Sequence, residues 1–128
     1  MIFRGLLILV LSTVLLSGCS QKEPSDDEIA LFGKAAQAEI ANNYAEAVEI
    51  YESIIENYPK STQYDKALFM IGFIKSENMD KKDEAKLCFE ELIEKFPDSE
   101  LVDDAEFMIE AIEQNQDALT TFEEKTGK

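Results

Sequence analysis

The stretch EAVEIYESIIENYPKSTQYDKALFMI, residues 46–71, returns 38 positions later as EAKLCFEELIEKFPDSELVDDAEFMI, residues 84–109, with 12 of the 26 pairs identical. Shared positions include Ala47/Ala85, Pro59/Pro97, Ser61/Ser99, Ala67/Ala105 and the run Phe69-Met70-Ile71 against Phe107-Met108-Ile109, while Tyr51/Phe89 and Tyr58/Phe96 set aromatic on aromatic. Helical patterning alone repeats the apolar class of a position and leaves its identity free. Agreement of a Pro, a Ser and several small Ala residues together therefore marks an internal duplication, and a period this short points to stacked copies of one supersecondary unit.

The unit is helical. Tyr44, Ala47, Val48, Tyr51, Ile54, Ile55 and Tyr58 fall at i, i+3, i+4 spacing and predict a helix that ends before Pro59. Ser61 is placed to cap the next, carried by Tyr64, Ala67, Leu68, Ile71 and Ile74. After Asp80, Ala85, Cys88, Phe89, Leu92, Ile93 and Phe96 mark a fourth helix closed by Pro97, and Ser99 is placed to cap a fifth through Leu101, Val102, Ala105, Met108, Ile109 and Ile112. Upstream, Ser25-Asp26-Asp27-Glu28 reads as a capping box whose acids complement the helix dipole. It opens a first helix from about Asp26 to Ala41, stopped by Asn42-Asn43 because Asn tolerates a left-handed conformation. Asn115 to Phe122 reads either as a short separate helix or as a continuation of the fifth. No strand alternation of useful length occurs, so the expected class is all-α.

These residues resemble the tetratricopeptide repeat, which pairs two antiparallel helices. A small residue of the first helix packs on an Ala of the second, an aromatic follows four residues later, and a Pro closes the unit. Ala35, Ala47, Tyr51 and Pro59 match those positions once, and Gly72, Ala85, Phe89 and Pro97 match them again. The resemblance covers residues 26 to about 113 and implies about two and a half repeats in a right-handed solenoid with a C-terminal capping helix. Its departures are the 38-residue spacing, one extra residue between Gly72 and Ala85, and Glu110 at the third small position. A Glu does not fit that contact, so the third repeat is expected to lack a properly packed second helix.

Residues 1–18 differ in kind. Arg4 precedes the apolar run Leu6 to Leu16, and polar residues from Ser20 on end it too early for a span of about 20 apolar residues. This is an export signal. Leu16-Ser17-Gly18-Cys19 resembles the lipobox of bacterial lipoproteins. The resemblance implies cleavage before Cys19, a diacylglyceryl thioether on its sulfur and an acyl chain such as palmitate on its amine. Ser20 in place of Asp implies the outer membrane. Several chains hold a protein on a bilayer where one is marginal. The expected organisation is a signal peptide over 1–18, a lipidated polar tether over 19–25 and a repeat domain over 26–128.

Composition narrows the function. With 12 Lys+Arg against 27 Asp+Glu the net charge is −15, which repels phosphate backbones and argues against nucleic acid. The lack of His removes the commonest general base and zinc ligand, and two distant cysteines build no metal site, so no metal, cofactor or small-molecule substrate is expected. An enzyme would have to work with carboxylates of raised pKa alone, yet the acids fall at exposed helical positions, so no catalytic residue is assigned. Cys88 has no base nearby and reads as a small apolar side chain.

A partner surface is suggested by Phe32, Phe69 and Phe107, which recur at one position of three successive first helices, with Phe73 one turn beyond Phe69. In the repeat family that side of the first helices lines a groove for extended peptides or partner helices. The resemblance would have these rings bury apolar anchors while Lys34, Lys66 and Lys75 fix polar ends; aromatics at helical spacing also simply fill cores. The acids Glu100, Asp103, Asp104, Glu106, Glu110 and Glu113 read as a solvated capping face, or else as a dock for a basic partner or a weak divalent-cation site, though no spacing defines a calcium loop. Tyr-Pro-Lys-Ser and Phe-Pro-Asp-Ser after a lipobox are similar to outer-membrane assembly lipoproteins of the BamD type and to the repeat domain of Tol-Pal-associated periplasmic proteins. That likeness implies a non-catalytic adaptor with a protein partner, anchored at the periplasmic face of the outer membrane. An accessory subunit of a BamD-like assembly machine is the alternative.

Overall fold

The computed structural model describes residues 24–126, with side chains through Gln116. The signal segment 1–18 and the lipidation residue Cys19 lie outside the described residues. Five helices follow in order: α1 (Asp26–Ile40), α2 (Tyr44–Asn57), α3 (Tyr64–Glu77), α4 (Lys82–Lys95) and α5 (Val102–Thr126). The described residues contain no strand.

Local chemistry sets the boundaries. At the start of α1 the Glu28 N–H donates to Ser25 Oγ (3.3 Å) and the Ser25 N–H to Glu28 Oε2 (2.8 Å), the reciprocal pair of a capping box. Both helix pairs turn on a left-handed residue, Asn42 (φ 59°) and Asp80 (φ 54°), which are repeat equivalents. Short polar side chains are the non-glycine residues that enter this region most readily. Ser61 and Ser99 act earlier than the sequence pattern implies. The residue before α3 is Gln63, with no side-chain cap, while Ser61 Oγ accepts from the Gln63 N–H (2.9 Å) and Ser99 Oγ from the Leu101 N–H (3.2 Å). Each serine therefore shapes the turn that follows its proline, and the helix begins only after that turn.

Successive helices pack on one another, and α3 also meets α5. One core cluster joins α1, α2 and α3 through Ala35, Ala47, Tyr51, Ile54, Ala67 and Ile74; a second joins α3, α4 and α5 through Leu68, Ala85, Phe89, Leu92, Ala105 and Ile112. Helix α3 serves both, as expected where each repeat buries its apolar face only against neighbours. The repeat residues Ala35, Ala47, Tyr51, Gly72, Ala85 and Phe89 are all buried, while Pro59 and Pro97 stand exposed in turns. A Cβ at Gly72 would meet the Phe89 ring first. Residues 115–122 continue α5.

A candidate docking groove between α3 and α5

Two cavities lie along α3. The first, ≈ 580 Å³, sits between the N-terminal half of α3 and the turn before α5; Phe69, Met70 and Leu101 line it with the polar Asp65, Lys66, Asp98, Ser99 and Glu100. The second, ≈ 280 Å³, lies further along and is lined by Phe73, Ser76, Glu77 and Lys82 on one side and Phe107, Met108 and Ala111 on the other. The rings of Phe69 and Phe73, stacked at 6.3 Å and 18°, stand between them. Ser99 Oγ donates to Asp65 Oδ2 (2.5 Å), fastening the α4–α5 turn to α3 and so holding the wall of the first cavity.

The recurrent Phe residues divide by role. Phe32 packs edge-on against Tyr51 (5.5 Å, 62°), and Phe69 packs the same way against Phe89 (5.5 Å, 58°). Both rings therefore belong in part to the core, and Phe32 lines neither of the two cavities. Phe73 is 38% exposed and Phe107 68% exposed, and these two share the second cavity. The core and groove readings thus both apply, to different members of the series.

The lysines divide likewise. Lys66 borders the first cavity with its Nζ 5.7 Å from the centroid of the Phe32 ring, a cation–π distance. Lys75 is not a groove residue: it is only 14% exposed and is held between Glu52 of α2 (3.4 Å) and Glu84 of α4 (3.2 Å). Burial alone would lower its pKa, but the hydrogen bonds and charges of those acids outweigh burial and raise it. Lys34 lies at the other end, beside Gln37 and Glu46.

Burial also shifts the ionisation of two other side chains, Cys88 and Tyr51. Burial pushes the half-buried Cys88 thiol up, and nearby glutamates add to this against the pull of Lys75, so it stays a thiol. Burial first, then a hydrogen bond to Glu39 Oε1 (2.8 Å), raises the Tyr51 phenol well above the ordinary tyrosine range. Among the described residues no group of three His, Cys, Asp or Glu is placed to hold a metal ion. Sequence reasoning missed Asp65, Met70 and Asp98 as cavity residues; of these only Asp98 lies in the turn that a repeated proline marks.

The family model of the outer membrane lipoprotein YfiO matches residues 34–123, well over half of the chain. The chain belongs to this family. It is thus a BamD-type tetratricopeptide lipoprotein, associated with the outer membrane and with protein partners. The YfiO match takes in α2, α3 and α4 whole, and with them Phe69, Phe73, Phe107 and both cavities, whereas Phe32 and Cys19 precede it. No curated protein and no solved structure matches the chain. Among the described residues no helix is long and apolar enough to cross a membrane.

Proposed function

We propose that this chain is a non-catalytic protein-interaction module, held at the periplasmic face of the outer membrane by lipidated Cys19, whose repeat domain takes a partner segment into the groove between α3 and α5. The observation that carries the reading is the pair of cavities divided by the Phe69–Phe73 stack, with Phe73 and Phe107 left exposed beside them. A segment laid along α3 places one apolar side chain in each cavity, and Lys66 meets a carbonyl or carboxylate of the segment at the first. The lipobox supports the anchor, and membership of an outer membrane lipoprotein family supports the location. The same membership favours, as a second reading, an accessory subunit of an outer-membrane protein assembly machine.

Phe73→Ala tests the groove. The ring is partly exposed, so the variant should keep its thermal stability and lose capture of the segment that a photo-crosslinker at Lys66 identifies in the native envelope. Phe69→Ala should lose both, because its ring also packs on Phe89. Undiminished capture by the Phe73 variant would rule the groove out.

A further inference from the structure

Three residues at equivalent positions of α1 and α3 are buried or partly buried. In α1 they are Leu31, Phe32 and Ala35; in α3, Leu68, Phe69 and Gly72. Phe32 meets Tyr51 and Phe69 meets Phe89 at the same distance, 5.5 Å, and the space beside Gly72 is filled by the Phe89 ring. The corresponding residues of α5 are Glu106, Phe107 and Glu110, all exposed. No second helix covers them among the described residues, and α5 continues as one helix to Thr126, leading the chain away along its own axis. The Phe has been kept while the Leu and the small residue on either side of it have become Glu. A face meant only for water has no use for a phenyl ring that is 68% exposed at its centre.

We infer that the Glu106–Phe107–Glu110 face docks an amphipathic, cationic helix of another protein, which stands where the second helix of the third repeat would stand. The aromatic pairs of the first two repeats say what meets Phe107: an apolar, preferably aromatic side chain on a helix. The two glutamates say what flanks it, namely Lys or Arg, whose length spans the wider gap that a Glu at the Gly72-equivalent position requires. Asp103 and Asp104, one turn before Phe107, extend the same field. Charge selects against the other occupants, because a second copy of this chain and an anionic membrane surface are both repelled by a molecule of net charge −15. This face shares Phe107 with the second cavity, whereas Glu106 and Glu110 line neither cavity.

A synthetic peptide of residues 82–97 with its four glutamates changed to lysine is the probe, measured by fluorescence anisotropy against the full chain in detergent. It should bind at low salt, and Phe107→Ala or the pair Glu106→Lys with Glu110→Lys should each weaken it by about tenfold or more. Phe73→Ala, on the opposite wall of the second cavity, should weaken it less than either, and the charge reversals, at residues that line neither cavity, separate this site from the groove. The peptide with its natural glutamates should not bind. Equal binding of the two peptides, no binding of the cationic one, or loss caused by Phe73→Ala and not by the charge reversals would overturn the proposal.

Discussion

Gly72 occupies a place where one methyl group is too many. A Cβ there would lie 2.8 Å from Cε1 and 2.9 Å from Cζ of Phe89, a ring with no exposed surface and no room to withdraw. Helix propensity favours Gly→Ala by about 1 kcal/mol, but overpacking a core costs about 1 to 3 kcal/mol, and a rigid buried ring puts this site at the upper end. Gly72→Ala is therefore expected to lower the urea midpoint; a raised midpoint would show that Phe89 can move. Tyr51 makes the fold sensitive to alkali. In the unfolded chain a tyrosine loses its proton near pH of about 10, whereas burial and Glu39 keep the folded phenol protonated for longer. The unfolded state therefore binds fewer protons there, and stability falls as pH rises above that value. Lys75, with its raised pKa, acts in the same direction. Between pH 8 and pH 11, taken as roughly bracketing the unfolded tyrosine pKa, Tyr51→Phe should lose less stability than the wild type; parallel losses would refute the assignment.

Helices α3 and α4 pack together with the small residues Gly72 and Ala85 buried. Ala85 of α4 has no exposed surface and packs in the cluster of Leu68, Phe89 and Leu92. Ala85→Leu adds three carbons to a full site and should destabilise by about 1 to 3 kcal/mol, while Cys88→Ala, at a half-buried position, should cost less. Chemical denaturation of the two variants compares them directly, and a neutral Ala85→Leu would mean that the repeats are misaligned at that residue. Helix α5 shows the opposite case. Its inner residues Ala105, Met108, Ile109 and Ile112 pack on the preceding repeat, and its exposed residues include Asp103, Asp104, Glu106, Glu110 and Glu113 beside Phe107.

Taken together, five helices share two clusters through α3, so damage to α3 should reach both repeats and damage to α1 or α5 only one. The assembly also depends on where it is held. Cys19→Ala should release the protein from the membrane fraction or leave the signal uncleaved, while mass spectrometry of the wild type should find an acylated Cys19 as its first residue. A wild type that fractionates as soluble would end the anchored reading. The groove has meaning as a docking site for envelope proteins only if that anchor is present.

Much of this architecture was legible along the chain. The 38-residue duplication, the apolar spacing and the prolines specify helix number, order and most boundaries, because each rests on interactions between residues close in sequence. Glu110 at a small position is exposed, as a charge at that position requires. Long-range packing settled the rest. Whether Phe32 or Phe107 is covered depends on a partner helix, and among the described residues Tyr51 of α2 covers the first while none covers the second. Lys75 looked like Lys66 in sequence, but it became a buried tie because α2 and α4 bring Glu52 and Glu84 to it from opposite sides. Local pattern fixes which face of a helix is apolar; only the arrangement of its neighbours decides how much of that face remains open to a partner.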